Sequence, residues 1–238
     1  MRSSAFLRFF APLLCIIVLL CVFVLTLAHP ASAAVTIYNF QVGPNNATYT
    51  GTGALGAGGP VFNRVDYSGT SDVNSVADAR SSTGVVTPGV SLTLHCDGRF
   101  DAGSKDGFGS PTPISAKADD APALLQNFAT IKNNSAAAIT LSGLPPLTSF
   151  KIVFYGTNGT FSDGTRGTKF TLYKDAGLKT VTGSAVTTCT TMTRFAAPSN
   201  FVTLSGTTDP GGNVFAAYTG AVGSEGDFNG LQIQVGKP

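Results

Sequence analysis

The chain has 238 residues, of which 12% are charged and none is tryptophan, a size that suits one large β-sandwich or barrel. Removing Arg2 and Arg8, which lie in an apolar leader, from the 15 Lys+Arg leaves 13 basic against 13 acidic residues; the remainder is formally neutral and carries no nucleic-acid footprint. Two of the four cysteines and one of the two histidines also fall in the leader, and Cys96, Cys189 and His95 are too few to build a multi-histidine zinc site or a four-ligand Cys/His site.

Residues 1–33 read as a cleavable signal peptide. No charge interrupts Phe9 to Ala28, and Ala31-Ser32-Ala33 supplies the small-x-small pattern of a signal peptidase site, so cleavage is expected between Ala33 and Ala34. The apolar run approaches the ~20 residues that span a bilayer, which makes an uncleaved N-terminal anchor the alternative. Leu13-Leu14 and Leu19-Leu20 are too bulky before Cys15 and Cys21 for lipid attachment. No second apolar stretch of spanning length follows, so no membrane contact is expected once the leader is removed.

Beyond the leader, alternation of apolar and polar residues dominates. It predicts strands at Val35–Val42, Val90–Cys96, Ile139–Leu141, Phe150–Tyr155, Lys169–Tyr173, Val186–Thr193, Phe201–Leu204, Val214–Tyr218 and Leu231–Val235, with turns at Asn158-Gly159, Asp163-Gly164 and Pro210-Gly211-Gly212. One segment departs from this period: Asp119 to Ile131 combines an Asp N-cap, an early Pro122 and apolar Leu124, Leu125 and Phe128, which predicts a short amphipathic helix over one open end of the fold. With no linker in view, residues 34–238 form a single expected domain, an all-β, two-sheet sandwich of the jelly-roll kind with one short helix. Cys96 shares the inward face of Val90, Leu92 and Leu94. In an oxidising compartment Cys96 and Cys189 are most simply one disulfide, the alternative being two separate buried thiols.

Candidate chemistry is sparse. The nearest serine-hydrolase elbow, Val222-Gly223-Ser224-Glu225-Gly226, lacks the first glycine and has only His95 as a base. Glu225 and Asp227 are a carboxylate pair for glycoside cleavage if a cleft separates them. The loop Asp97 to Asp106 is rich in oxygen, and Asp97, Asp101 and Asp106 are the candidate ligands for Ca²⁺, although Arg99 and Lys105 dilute its charge. Sugar-binding sandwiches present aromatic platforms beside amides and carboxylates. Tyr155, Tyr173 and Tyr218 are candidates for that role, and Tyr155 with Asn158, Asp163 and Arg166 is the expected ligand patch.

Leu141-Ser142-Gly143-Leu144-Pro145, the strand Phe150 to Gly156 and the terminal Asp227-Phe228-Asn229-Gly230-Leu231-Gln232-Ile233 together resemble a group of uncharacterised exported bacterial β-sandwich proteins, similar in outline to galactose-binding-like domains. Relatives of that sort have a Trp-Asn pair to which Phe62-Asn63 corresponds here. The resemblance implies a jelly-roll-like fold and an extracellular setting, with no activity to carry over. The sequence is therefore read as a non-catalytic secreted, periplasmic or cell-surface module whose partner is a glycan or a cell-envelope component. A structural or matrix role is the second reading, and a polysaccharide-active enzyme the third.

Overall fold

Strands form where β-branched and aromatic residues alternate with Ser, Thr and Lys, so that each strand has one face for a core and one for water or a covering loop. The computed structural model describes residues 35–43, 49–56, 58–66, 73–96, 98–101, 123–125, 127–132, 134–158, 164–191, 194–222 and 225–236. The leader with Ala33 and Ala34, and the expected site residues Asp97, Asp106 and Asp163, lie outside them. In chain order the described strands are β1 (Thr36–Gly43), β2 (Asn63–Asp66), β3 (Val73–Val76), β4 (Ser91–His95), β5 (Gly98–Asp101), β6 (Asn127–Ile131), β7 (Ala137–Ser142), β8 (Ser149–Tyr155), β9 (Thr168–Tyr173), β10 (Val181–Val186), β11 (Phe201–Thr207), β12 (Val214–Gly220), β13 (Gly226–Phe228) and β14 (Gly230–Val235).

They build a two-sheet, jelly-roll-like sandwich. One sheet has the order β11-β8-β14-β1-β2, the other β10-β9-β12-β7-β4-β3, and a small third sheet runs β13-β6-β5. Adjacent strands pair antiparallel except β1 and β2, whose register Phe40↔Asn63 is parallel. The inward faces pack Tyr38, Phe40, Ile152, Phe154, Leu231 and Ile233 of the first sheet onto Leu92, Leu94, Ile139, Phe170, Leu172 and Tyr218 of the second. At the centre the rings of Phe154 and Phe170 stack across the sheets, 4.9 Å apart and tilted by 6°.

The outer face of the five-stranded sheet is not open. Residues 49–56 fold over it, and Tyr49, Ala54 and Leu55 pack on a second apolar cluster of Phe62, Leu124, Leu125, Val153 and Tyr155. Gln232 pins this cover: its Nε2 donates to Thr52 O and Asn39 Oδ1, while its Oε1 accepts from the amide of Leu55. Phe62, at the position the resemblance gives to Trp, is buried in this cluster.

Two expectations are corrected. The helix predicted over Asp119–Ile131 is, in its described part, one 3-10 turn, Ala123–Leu125, followed by strand β6. All five residues of β6 are buried, so its apolar side chains serve two faces at once and mimic a helical stripe. The expected Cys96–Cys189 disulfide is absent, and both residues are buried thiols. Cys96 follows β4 and Cys189 follows β10, and four inter-strand spacings, roughly 19 Å, separate those strands, against the ~3.8 Å between β-carbons that a disulfide needs.

Candidate functional site

Among the described residues, side chains of chemical interest gather on the solvent face of the six-stranded sheet, in a cleft at one end of it, and in a polar cluster at the opposite end.

The solvent face follows from register. Inward-pointing Val214, Ala216 and Tyr218 of β12 place Phe215, Ala217 and Thr219 outward. On β9, Phe170 and Leu172 point inward, and Lys169, Thr171 and Tyr173 outward. Phe215 pairs with Tyr173 on one side and with Thr140 on the other, and Thr140 pairs with Thr93, which pairs with Ser75. One row across the strands is therefore Tyr173, Phe215, Thr140, Thr93, Ser75: two half-buried aromatic rings followed by three hydroxyls. The next row is small, with Thr171, Ala217 and Ala138 forming a floor between bulkier neighbours. An aromatic surface beside a line of hydroxyl donors and acceptors can take a ligand that has one apolar face and polar edges.

At the end of this sheet where β8, β10 and β12 begin and β9 and β11 finish, a cleft of about 520 Å³ opens between the sheets. Its lining includes Phe150, Leu172, Val214, Tyr173 and Phe215, with Leu147, Lys174 and Asp209 among the residues of its wall and rim. Asp209 closes the β11–β12 turn by accepting from the amides of Gly211 and Asn213 and from the Asn213 side chain. Desolvation pushes its carboxyl up, but these hydrogen bonds outweigh it and hold Asp209 below the usual carboxylate range.

At the opposite end Asn158, Arg166 and Glu225 meet. Asn158 Nδ2 donates to Glu225 Oε1 at 3.0 Å, and Arg166 Nη1 lies 2.6 Å from Glu225 Oε2. Asp227 lies beside them, 1% exposed, and among the described residues neither of its carboxylate oxygens has a hydrogen bond of standard geometry. Burial, reinforced by the Glu225 charge, pushes its carboxyl up to about 7, against the opposing pull of Asn158, Thr130 and Arg166. Its backbone is fixed by Thr168, whose hydroxyl donates to Asp227 O and accepts from Asp227 N. Glycoside cleavage needs two carboxyls flanking an accessible bond. Here one is neutralised by an arginine and the other is enclosed, so the pair as placed is a packed polar cluster.

Of the expected ligand patch, Asn158 and Arg166 do come together, through Glu225. Tyr155 does not join them and is no exposed platform. It is fully buried under residues 49–56, accepting from the amide of Ala54 and donating to Gln232 Oε1, and burial raises its phenol against that amide hydrogen bond. Tyr218 is also buried, its hydroxyl donating to the backbone of His95. Tyr173 is therefore the one candidate tyrosine of the three on the solvent face. Phe215 beside it was not singled out from the sequence; the alternation of VFAAYTG with Tyr218 inward is the signal that places it outward. Of the aspartates expected around Ca²⁺, Asp101 ends β5, in register with Asn127.

No protein-family model and no curated protein sequence matches the chain. Among solved structures, it is similar to a family 35 carbohydrate binding module from Clostridium thermocellum, with 17% identity over 45% of this chain and 76% of that one and a TM-score of 0.32. It is also similar to the CBM35 from Cellvibrio japonicus Abf62, with 16% identity over 47% and 75% and a TM-score of 0.32. The xylan-binding module CBM15 shares 9% identity over 68% of this chain and 95% of that one, with a TM-score of 0.31.

Proposed function

We propose that this protein is a non-catalytic glycan-binding module that works outside the cytoplasm, and that its binding surface is the solvent face of the six-stranded sheet. The observation that carries the reading is the cross-strand pair Tyr173–Phe215 in one row with Thr140, Thr93 and Ser75. A pyranose has an apolar face of C–H groups and a rim of hydroxyls. The aromatic pair would stack on the first, and the threonine and serine hydroxyls would bond the second. The floor of Thr171, Ala217 and Ala138 gives an extended chain room to lie across the strands. A neutral domain is consistent with a neutral ligand, and the leader-like residues 1–33 support export. Catalysis is left out of the proposal because Asp227 is enclosed and Glu225 is held by Arg166 and Asn158.

The test is a glycan array probed with the protein, in Ca²⁺ and again in EDTA, alongside Tyr173→Ala and Phe215→Ala. Selective binding that each substitution weakens by about tenfold, the size expected for a stacked ring, is the expected result. Absence of binding by the wild type in both conditions would move the assignment to a structural role. Binding that neither variant alters would place the site elsewhere.

A further inference from the structure

The outer face of the five-stranded sheet carries rings and amides of its own, closed over by one short length of chain. With Tyr38, Phe40, Ile152, Phe154, Leu231 and Ile233 turned into the core, register places Phe201, Tyr155, Gly230 and Gln41 in one outward row and Thr203, Val153, Gln232 and Asn39 in the next. The rings of Phe195 and Phe201 flank that of Tyr155, with centroids 5.3 and 6.1 Å away. Residues 49–56 lie over these rows. Tyr49 N donates to Gln41 Oε1, Ala54 N to the Tyr155 hydroxyl and Leu55 N to Gln232 Oε1, while Thr52 O accepts from Gln232 Nε2. Among the described residues every hydrogen bond between this segment and the sheet is thus made to a sheet side chain, and none to a strand backbone. None of residues 49–56 is itself buried. Beneath them Gln41 Nε2 is buried with no hydrogen-bond partner among the described residues, so the segment satisfies the amide heads incompletely. The close fit depends on glycine: a Cβ on Gly53, which has a φ of 63°, would run into Gln232 Oε1 and the Tyr155 hydroxyl.

We propose that residues 49–56 are a displaceable strap over a second glycan surface, closed in this structure, and that lifting the strap presents Tyr155, Phe195 and Phe201 as a platform and Gln41 and Gln232 as hydrogen-bonding heads for a neutral sugar chain. The peptide N–H and C=O groups of the strap occupy the amide and phenol heads in the way that sugar hydroxyls, which both donate and accept, would occupy them. Those heads are uncharged, which suits a neutral ligand, and Asn39 Oδ1 holds Gln232 Nε2 in place from within the sheet. Lifting the strap breaks no strand pairing and parts neither sheet from the other, and a segment with few buried contacts is one that opens locally. The inference shares its ligand class with the glycan reading but not its surface, since Tyr173 and Phe215 belong to the other sheet.

The experiment has two readouts on the full-chain protein. In native-state hydrogen exchange of the wild type, the amides of Ala54 and Leu55 should exchange by local opening, about tenfold or more faster than those of β8 and β14. For binding, Gly53→Ala, which pushes the strap off Gln232 and Tyr155, is made in a Tyr173→Ala/Phe215→Ala background and probed on an array of neutral oligosaccharides. It should bind about tenfold or more tightly than the same background with Gly53, and Gln232→Ala should remove the gain. If Gly53→Ala does not fold, Ala54→Pro, which deletes the amide that holds the Tyr155 hydroxyl, takes its place. The background keeps the two readings apart, because binding through Tyr173 and Phe215 is removed before the strap is tested. Exchange of Ala54 and Leu55 only together with the core strands, no gain on opening the strap, or a gain that survives Gln232→Ala would each overturn the proposal.

Discussion

Two buried polar side chains tie single residues to measurable behaviour. Asp227 has its folded-state carboxyl raised to about 7 by burial and by Glu225, while an unfolded aspartate ionises near ~3.9. The folded protein therefore holds a proton that the unfolded chain gives up between those values, and this contribution to stability is full below about pH 4 and lost as pH rises through about 7. Asp227→Asn should remove that slope and stabilise the protein at pH 8 relative to wild type, by on the order of 1 kcal/mol or more. Urea denaturation at pH 5 and pH 8 measures it, and parallel slopes in the two proteins would refute it. Tyr155 poses a different question, because its hydroxyl joins the cover segment to Gln232. Tyr155→Phe leaves the Ala54 amide without its buried partner, which should cost about 1–3 kcal/mol and speed hydrogen exchange at Ala54 and Leu55. The sequence put a tyrosine at a strand end here, but burial depended on which loop folds over that end, and the loop lies a hundred positions away.

At the level of elements, the terminal Asn229-Gly230-Leu231-Gln232-Ile233 has a structural explanation for each position. Asn229 accepts from the amide of Thr157 and donates to Leu125 O and Asn127 O, joining three segments. Leu231 and Ile233 face the core, and Gln232 holds the cover on the opposite face. Gly230 lies so close to β1 that an added Cβ would run into Phe40 O. Gly230→Ala should push β1 from β14 at the Gln41↔Gly230 pair and lower the unfolding free energy by about 1–3 kcal/mol, read as a fall in thermal midpoint. An unchanged midpoint would mean that the edge of β1 yields freely. The strands with clear alternation were legible within a residue or two, as β8, β9 and β12 illustrate. Strand β10 was not. It is an edge strand with a bulge between Val181 and Gly183 and most of its residues exposed, so it lacks the apolar half of the pattern, and the β-branched run after it drew the expectation to Val186–Thr193.

For the whole molecule, the absence of a Cys96–Cys189 bridge leaves the sandwich to be held by burial and strand pairing. The stacked pair Phe154–Phe170 sits at the centre of that burial, and Phe154→Ala should destabilise by about 3–5 kcal/mol. Addition of dithiothreitol should leave the thermal midpoint where it was, and both thiols should react with a maleimide only on unfolding; a midpoint that falls on reduction would restore the disulfide. Composition and periodicity by themselves determined that strands dominate beyond the leader and that strands such as β8, β9 and β12 turn one apolar face inward, because these depend on residue type and on spacing two along the chain. The tertiary structure decided which faces are covered. Residues 49–56 seal the outer face of one sheet and bury Tyr155. The other sheet keeps Tyr173 and Phe215 toward solvent, Asn158 and Arg166 converge on Glu225, and the two cysteines end up at strands four spacings apart. None of these could be read from local sequence, because each depends on strand order, which is set by contacts between residues far apart in the chain.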